Sequence, residues 1–452
     1  MNEELEIINE KILKLLEEKK YKELKLILND MNEFDIATVM DELKEEDRII
    51  FFRLLPKDMA ADVFSFLDQE SQEHIVNSIT DKELKVIVND LYIDDAVDII
   101  EELPAIVVKR VLRNADPETR TLINQFLKYE DDTAGSIMTA EFVALKKTMT
   151  VKESFDYIRK NCSDKETIYD CYVLDKTAHL EGLITVRELL RHPYEEVIEN
   201  IMDTNIISVE TNDDKEDVAR KFSEYDLLSS PVVDTEKRMV GIVTIDDVVD
   251  VMEEEATEDF EKMAAIAPSD KPYLKTNVFK LAKNRIMWLA ILMISSIFTG
   301  LILSKYEASF AAMPILVTFI PMLMDTGGNA GSQSSTLIIR GMATNEIRIK
   351  DVGKVVFKEL RVGLIVGVVL ALLNYVRLII QYPGQNQVAL VVCLALMATV
   401  IVAKIIGGLL PILAKAIHID PALMASPLIT TIVDTLSLVL YFSLATQILG
   451  LA

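Results

Sequence analysis

The sequence predicts a multidomain membrane protein: an all-α superhelical N-terminal domain, an α/β pair of duplicated domains, an acidic connecting helix, and an α-helical transmembrane domain with five spans per subunit. Long apolar segments occupy the last third of the 452 residues. The formal net charge is −25, yet residues 286–452 hold seven acidic and ten basic residues, so residues 1–285 carry about −28. An internal duplication covers residues 137–256. We place the parts at 1–130, 131–200, 201–252, 253–280 and 281–452.

Residues 1–130 predict short amphipathic helices, because apolar residues recur at three- and four-residue spacing in LLPKDMAADVFSFL and IIEELPAIVVKRVL. A small superhelix of such helices is the simplest arrangement. Its surface carries Asp62, Asp94, Asp95 and Asp98. Any single acid on a helix is usually solvated, so this pattern alone does not indicate a site.

The duplication predicts two α/β domains. The first copy, IMTAEFVALKKTMTVKESFDYIRK, continues to YVLDKTAHLEGLITVRELL, and the second, IMDTNIISVETNDDKEDVARKFSEYD, continues to PVVDTEKRMVGIVTIDDVV. Each copy shows the pattern of a strand, a helix, a strand, a turn, a strand and a helix, with YVLD and PVVD as buried strands.

The segment DDVVDVMEEEATEDFEKMAAIAP joins the second copy to the apolar part. Eight acids from Asp246 to Asp259 crowd its predicted helix, where like charges four residues apart repel one another. Such a charge disfavours contact with nucleic acid and anionic lipid and attracts cations. We therefore expect divalent cations, and no nucleic acid, as partners of the region that precedes the spans.

Five stretches are long and apolar enough to cross a lipid bilayer. They are 286–303, 313–339, 362–380, 388–413 and 423–449. Basic residues cluster before the first stretch and between the second and third, whereas the other loops are nearly uncharged. Because basic loops stay on the cytoplasmic side, we expect a cytoplasmic N-terminus and an extracytoplasmic C-terminus in a cell inner or plasma membrane.

The second stretch, MPILVTFIPMLMDTGGNAGSQSSTLIIRGMA, is the most informative. Its prolines and glycines predict a distorted helix with flexible polar backbone at membrane depth, which lipid cannot satisfy. We interpret it as the lining of a water-filled path, since Asp325 and Asn329 would be costly in lipid. The alternative is a tight glycine and serine face for helix packing.

Asp434 lies inside the fifth stretch, and an ionisable group within a span indicates function by default. One alternative pairs it with Lys404 of the fourth stretch. A lone carboxylate per subunit fits the axis of a dimer, where two would face each other and hold a hard cation. Mg²⁺ keeps most of its water and needs few carboxylates, so a largely hydrated Mg²⁺ fits such a site.

The chain resembles the MgtE magnesium channel family over nearly its whole length. DTGGNAGSQSSTLIIRG is similar to the family's second-span signature, and HIDPALMASPLITTIVD to the approach to its fifth span. The resemblance implies a homodimer in a lipid bilayer, a plug role for the connecting helix, and Asp434 as the pore carboxylate for hydrated Mg²⁺. The other residues expected along the conduit are Asn329, Asp325, Gly328 and Thr430.

The resemblance also implies that cytosolic Mg²⁺ closes the channel by bridging the N-terminal domain, the duplicated pair and the plug helix. The implied metal ligands are Asp62, Asp94, Asp98, Glu216, Asp226, Asp247, Asp250, Glu255, Glu258 and Asp259. Asp95 could replace either of its neighbours Asp94 and Asp98.

The duplicated copies resemble a tandem cystathionine-beta-synthase (CBS) domain pair, which often binds an adenine nucleotide in the groove between the copies. That resemblance places an ATP site at Tyr169, Asp170, Arg187 and Glu188, with the ribose-contacting aspartate near Asp246 or Asp247. Leu227 stands where an aromatic residue can follow the Tyr-Asp of the second copy, and this departure weakens the case for a nucleotide. The alternative is a regulatory scaffold without a nucleotide.

The expected function is thus a magnesium-selective channel for Mg²⁺ influx. The alternatives are a magnesium exchanger coupled to Na⁺ or H⁺, and a transporter of a broader set of divalent cations such as Co²⁺ and Mn²⁺. We do not expect an enzyme, because the sequence contains neither HExxH nor GxSxG and no pairing of serine with histidine suited to catalysis.

Overall fold

A computed structural model describes residues 3–57, 59–162, 165–269, 273–274, 276–307, 311 and 313–450. The chain divides into two compact units, Met1–Met252 and Glu253–Ala452.

Within the described residues, the first unit begins with ten short helices. They are α1 (Glu3–Glu17), α2 (Tyr21–Leu28), α3 (Glu33–Glu42), α4 (Glu45–Leu54), α5 (Ala60–Ser65), α6 (Gln69–Ser78), α7 (Asp81–Asp90), α8 (Ile93–Glu102), α9 (Ala105–Asn114) and α10 (Pro117–Phe126). From α3 to α10 most helices pack against the helix two further along, which produces the predicted superhelix. Local signals set the boundaries: Thr80 and Glu83 form a reciprocal capping box at the start of α7.

The duplication folds into two three-stranded sheets with the predicted order of elements. The first copy contains β1 (Val143–Leu145), α11 (Val151–Asn161), β2 (Asp170–Leu174), β3 (Leu180–Thr185) and α12 (Val186–Arg191). The second contains β4 (Val209–Glu210), α13 (Lys215–Tyr225), β5 (Ser229–Val233) and β6 (Met239–Thr244). In each sheet the first strand pairs parallel with the second, and the second antiparallel with the third. The strands YVLD and PVVD are largely buried, as predicted.

One continuous helix, α14 (Ile245–Met263), closes the second copy and forms the acidic connection. The predicted connecting segment extends to residue 280, but the structure ends this helix at Met263. Ala265 has a φ of 55°, in the left-handed region, and the next helix begins at Val278.

In the part of the second unit that the structure describes there are five long helices, α15 (Val278–Lys305), α16 (Ile320–Ala343), α17 (Val352–Gln381), α18 (Asn386–Ala416) and α19 (Ser426–Leu449). Among the described residues, four of the regions that contain them, all except α16, are long and apolar enough to cross a membrane. Helix α16 has 24 residues and is more polar, and it packs against α18 and α19.

The predicted distortion of the second span is confined to its start, where Pro314–Phe319 form a 3-10 helix before α16. The glycine-rich stretch belongs to regular α-helix, and Pro321 lies in the first turn of α16, where the missing N–H costs nothing. The glycines serve close packing: a Cβ on Gly327 would lie 2.7 Å from the Thr399 methyl carbon, and one on Gly407 would lie 2.2 Å from the Gly331 carbonyl oxygen. The packing alternative therefore describes these glycines, because the helix itself satisfies their backbone groups.

Candidate functional site

The membrane-side candidate is centred on Asp434 in α19. Its Oδ1 atom is buried and has no hydrogen-bond partner among the described residues. Asp325 of α16 is the nearby charged group whose field acts on it. An unpartnered carboxylate oxygen at this depth is costly unless water or a cation reaches it.

Helix α16 carries a polar stripe that its own chain does not cover. Asp325, Asn329 and Gln333 are spaced four residues apart, so they lie on one helix face, and all three are exposed. Another face of α16 is fixed against α19 and the turn that precedes it: Ser335 Oγ donates to the Met424 carbonyl of that turn at 2.7 Å, and a Cβ on Gly328 would lie 2.8 Å from the Thr430 methyl carbon. Gly328 and Thr430 thus form a helix contact, while the stripe of Asp325, Asn329 and Gln333 faces outward.

The alternative pairing of Asp434 with Lys404 is wrong. The Lys404 ammonium donates instead to the Ala330 carbonyl, the Gln333 side-chain oxygen and the Ser334 hydroxyl, at 3.4, 3.5 and 3.4 Å. These acceptors all lie on α16. Lys404 is therefore held by the α16 backbone and side chains and does not neutralise Asp434.

The first unit contains a cluster of carboxylates from the N-terminal domain and the CBS pair. We call Asp94, Asp95, Asp247 and Glu166 the interface acids. Asp94 and Asp95 lie in the first turn of α8, Asp247 in the first turn of α14, and Glu166 in the loop before β2. Asp94 is only 9% exposed, and its Oδ1 accepts the backbone N–H of Asp95 at 3.0 Å.

Burial and mutual repulsion raise the pKa of every interface acid. Burial, followed by the charge of Asp95, raises the pKa of Asp94 to about 7. Burial and the charge of Asp98 raise the pKa of Asp95 to about 7, and burial and the charge of Asp94 raise the pKa of Asp247 to about 7. Burial and the charge of Asp94 raise the pKa of Glu166 to about 8. A bound cation would relieve this repulsion.

Sequence reasoning missed part of this region. Glu166 Oε2 is buried without a hydrogen-bond partner among the described residues, and the Glu166 N–H donates to the Glu141 carbonyl at 3.0 Å. The pKa of Tyr92 is raised to about 12 by burial and then by the charge of Glu166. Single acids in loops follow no period, so the sequence offers no signal for Glu141 or Glu166.

The remaining predicted ligands are not all brought into one site, although the charges of Asp98 and Asp62 act on Asp95. Glu216 and Asp226 lie at opposite ends of α13, about 15 Å apart at the rise of an α-helix, so they cannot hold one ion within one chain. Asp62, Asp98, Asp226 and Asp250 are exposed. Within the described residues, no group of three histidine, cysteine, aspartate or glutamate side chains forms a ready-made metal site.

In the second unit, the end of α14 is bonded to the loop before α19. Lys262 Nζ lies 2.7 Å from Glu258 Oε1 and 2.7 Å from Asp420 Oδ2. Burial alone would lower the pKa of Lys262, but the hydrogen bonds to Asp420 and Glu258 outweigh it and raise that pKa. Asp259 is partly buried, and burial followed by the charge of Asp420 raises its pKa. Glu258 and Asp259 thus share a region with a bound ammonium group.

The predicted nucleotide residues lie around the start of β2 and at α12. Tyr169 is 68% exposed, and Asp170 Oδ2 accepts a hydrogen bond from Ser229 Oγ of the second copy at 2.8 Å. Burial raises the pKa of Asp170, and the Ser229 bond partly opposes this. Arg187 is exposed, whereas Glu188 already accepts from Arg191 at 3.1 Å.

Comparison with known proteins matches three family models to different parts of the chain. The family model described as a divalent cation transporter matches residues 320–444, that of the MgtE intracellular N domain matches 31–132, and that of the CBS domain matches 134–195 and 198–254. A crystal structure of the soluble part of a magnesium transporter aligns with a TM-score of 0.52 at 32% identity, over 56% of this chain and 99% of that one. The cytosolic domain of the Mg²⁺ channel MgtE in complex with ATP aligns with a TM-score of 0.51 at 36% identity, over 53% and 98%.

Two curated relatives extend over nearly the full length. The magnesium transporter MgtE of Thermus thermophilus is 36% identical over 438 residues, which are 96% of this chain and 97% of that protein. The magnesium transporter MgtE of Bacillus subtilis is 30% identical over 436 residues, 96% of each chain. These proteins are membrane transporters and not enzymes. With its helical N-terminal domain, CBS pair and apolar helices, this chain belongs to the MgtE family of magnesium transporters.

Proposed function

We propose that this transporter is a magnesium-selective channel that works as a homodimer, admits Mg²⁺ into the cell and is closed by cytosolic Mg²⁺. Five spans per subunit, a cytoplasmic N-terminus, an extracytoplasmic C-terminus and the part boundaries given above belong to the same proposal. Magnesium transport itself follows from membership of the family.

The observation that carries the pore proposal is the uncovered polar stripe of α16 beside Asp434. Asp325, Asn329 and Gln333 need water or protein partners at membrane depth, and all three are exposed although Lys404 donates to Gln333. A second copy facing this stripe would enclose a polar path. Oxygen ligands with one carboxylate per subunit suit Mg²⁺ that keeps most of its water.

A test of the pore is Mg²⁺ flux into liposomes that contain the purified protein. Asp434→Asn keeps the side-chain size and removes the charge, so we expect flux to fall at least tenfold. The matched control is Asp351→Asn, an acid that pairs with Lys354 beside α17. Undiminished flux in Asp434→Asn would rule out the pore assignment.

The same liposomes separate a channel from the alternatives. A channel conducts down the magnesium gradient alone, so a change of Na⁺ or pH on one side should leave the reversal potential of the current unchanged. An exchanger would shift it. Competition by Co²⁺ and Mn²⁺ measures how broad the selectivity is.

The gating proposal rests on the interface acids. Asp94 and Asp95 come from the N-terminal domain, and Asp247 and Glu166 from the CBS pair, so their repulsion favours separation of the two parts. Hard oxygen donors suit Mg²⁺, which keeps most of its water and binds through few carboxylates. Mg²⁺ closes the channel only if it binds the compact state more tightly than the open state.

Limited proteolysis tests this gating. In EDTA the segment at residues 253–275 should become accessible and be cut, and millimolar Mg²⁺ should protect it. Equal cutting under both conditions would contradict closure by Mg²⁺. The remaining implied ligands, Glu216, Asp226, Asp250 and Glu255, stay within the proposal as candidates for contacts made in the assembled dimer.

ATP binding at the CBS pair is a further part of the proposal. It is supported by the ATP complex of the similar cytosolic domain and by the position of Tyr169, Asp170, Arg187 and Glu188 around one region of the pair. Leu227 is partly buried and packs against the core of the first unit. Calorimetric titration of residues 1–263 with ATP, with ADP as the control ligand, measures whether the site is occupied.

A further inference from the structure

Three polar side chains meet inside the helical part of the second unit, and each comes from a different helix. Ser334 belongs to α16, Glu359 to α17 and Lys404 to α18. They are 1%, 8% and 5% exposed. The pore and gating proposals use none of them.

The three groups form a chain of hydrogen bonds from a cation to an anion. The Lys404 ammonium donates to the Ser334 hydroxyl oxygen at 3.4 Å, and the Ser334 hydroxyl donates to Glu359 Oε2 at 2.5 Å. Lys404 also donates to the Ala330 carbonyl at 3.4 Å and to the Gln333 side-chain oxygen at 3.5 Å. Gln333 is a member of the exposed polar stripe, so its bond to Lys404 links the three residues to the face of α16 where we place the pore.

Small residues bring the three helices close enough for this contact. A Cβ on Gly407 would lie 2.2 Å from the Gly331 carbonyl oxygen, and one on Gly408 would lie 3.0 Å from Glu359 Cγ. Lys404 precedes these glycines by three and four residues, so it lies on the same face of α18. Backbone contact at the glycines therefore places the ammonium group against residues 330–334.

We propose that Lys404, Ser334 and Glu359 are positioning residues for magnesium transport, forming a buried relay that fixes the rotation of α16 and so holds the polar stripe toward the pore. A single charge in lipid is costly, but a cation and an anion joined through a hydroxyl compensate each other. Removal of one partner leaves the other buried and unpaired, which costs more than removal of both. This inference rests on the proposed pore.

Mg²⁺ flux into liposomes, per amount of correctly assembled protein, tests the relay through a double-mutant cycle. Lys404→Met and Glu359→Gln keep side-chain length and should each lower maximal flux at least tenfold. The double variant K404M/E359Q should return to within threefold of wild type, because neither charge is then unpaired. Ser334→Ala should lower flux in the wild-type background and have no effect in the double variant.

The matched control is Lys415→Met, which removes an exposed lysine near the end of the same helix. Its flux should equal wild type. A packing role alone would give losses that add. A double variant whose flux is no higher than that of the less active single variant would therefore overturn the relay. Wild-type flux in both single variants would overturn it as well. If a single variant does not assemble, the assembled yield of the double variant decides: recovery supports the relay, and a lower yield overturns it.

The failure of this inference is distinct from the failure of the pore proposal. Normal flux in Asp434→Asn would remove the pore assignment, whereas additive losses at Lys404 and Glu359 would remove only the relay.

Discussion

The interface acids make the stability of the first unit depend on pH when metal is absent. The fragment suited to this test is residues 1–263, which contains the whole first unit with its own core and all of α14. The perturbation is a rise from pH 6 to pH 8 in EDTA at constant ionic strength. We expect the free energy of unfolding to fall across this range.

The sign follows from the raised pKa values. The ordinary pKa of an aspartate is 3.8, and in the folded unit it is about 7 for Asp94, Asp95 and Asp247. Between these values the folded state holds protons that the unfolded state has released. The contribution of these groups is therefore fully present below the unfolded pKa and is lost as the pH rises through about 7.

One proton bound with a pKa of about 7 changes the free energy of unfolding by about 1.4 kcal/mol between pH 6 and pH 8. Three independent protons would give about 4 kcal/mol. The three carboxylates repel one another, so protonation of one lowers the pKa of the others. Asp95 and Asp247 are also partly exposed. Glu166, with a pKa of about 8, also loses its proton over this range, so we expect a loss between the two figures.

Urea denaturation followed by circular dichroism at pH 6, 7 and 8 measures this loss. Asp247→Asn should flatten the pH dependence, whereas Asp156→Asn, an exposed acid on α11, should leave it unchanged. Millimolar Mg²⁺ should raise the stability most at pH 8, because the metal then replaces the proton. Stability that is constant or rises from pH 6 to pH 8 in EDTA would refute the reasoning.

Two further predictions concern the second unit. Lys262→Met removes both ion pairs at the end of α14, so flux at millimolar Mg²⁺ should rise about two- to tenfold. This rise corresponds to about 0.5–1.5 kcal/mol for partly exposed ion pairs. Flux equal to wild type would show that the Asp420 contact does not hold the closed state. Gly407→Ala places a Cβ against the Gly331 carbonyl and should lower the stability of the purified protein by about 1–3 kcal/mol in a thermal scan, whereas Gly353→Ala, with no neighbour within 4 Å, should not.

Much of the fold could be predicted because its signals are local. Thr80 with Glu83 and Thr150 with Glu153 cap their helices within four residues, and the duplication makes each copy support the assignment of the other. The α16 helix could not be predicted in this way. Glycine indicates either a distorted backbone or a close contact, and the choice depends on neighbours such as Thr399 and Gly407 that lie far along the chain.

The interface acids show the same limit for a site. Asp94 and Asp247 could be named in advance because the resemblance to the family implies them as metal ligands, whereas the acid pattern alone does not indicate a site. Glu166 could not, because it is a single acid in a loop, and what makes it relevant is burial beside residues from another domain. Its place in the site depends on the contact between domains, which no sequence period encodes.

Lys404 shows how a wrong pairing could have been avoided. Depth in the membrane allows it to pair with Asp434, since both lie within the cytoplasmic halves of neighbouring helices under the proposed orientation. The face of α18 on which Lys404 lies decides whether it can reach Asp434. Ala403, Gly407 and Gly408 surround Lys404 at one-, three- and four-residue spacing, and small residues at such spacing mark a helix contact. An ionisable residue on that face meets the neighbouring backbone before it can reach a pore, so Lys404 belongs to the contact with α16 and leaves Asp434 for the ion.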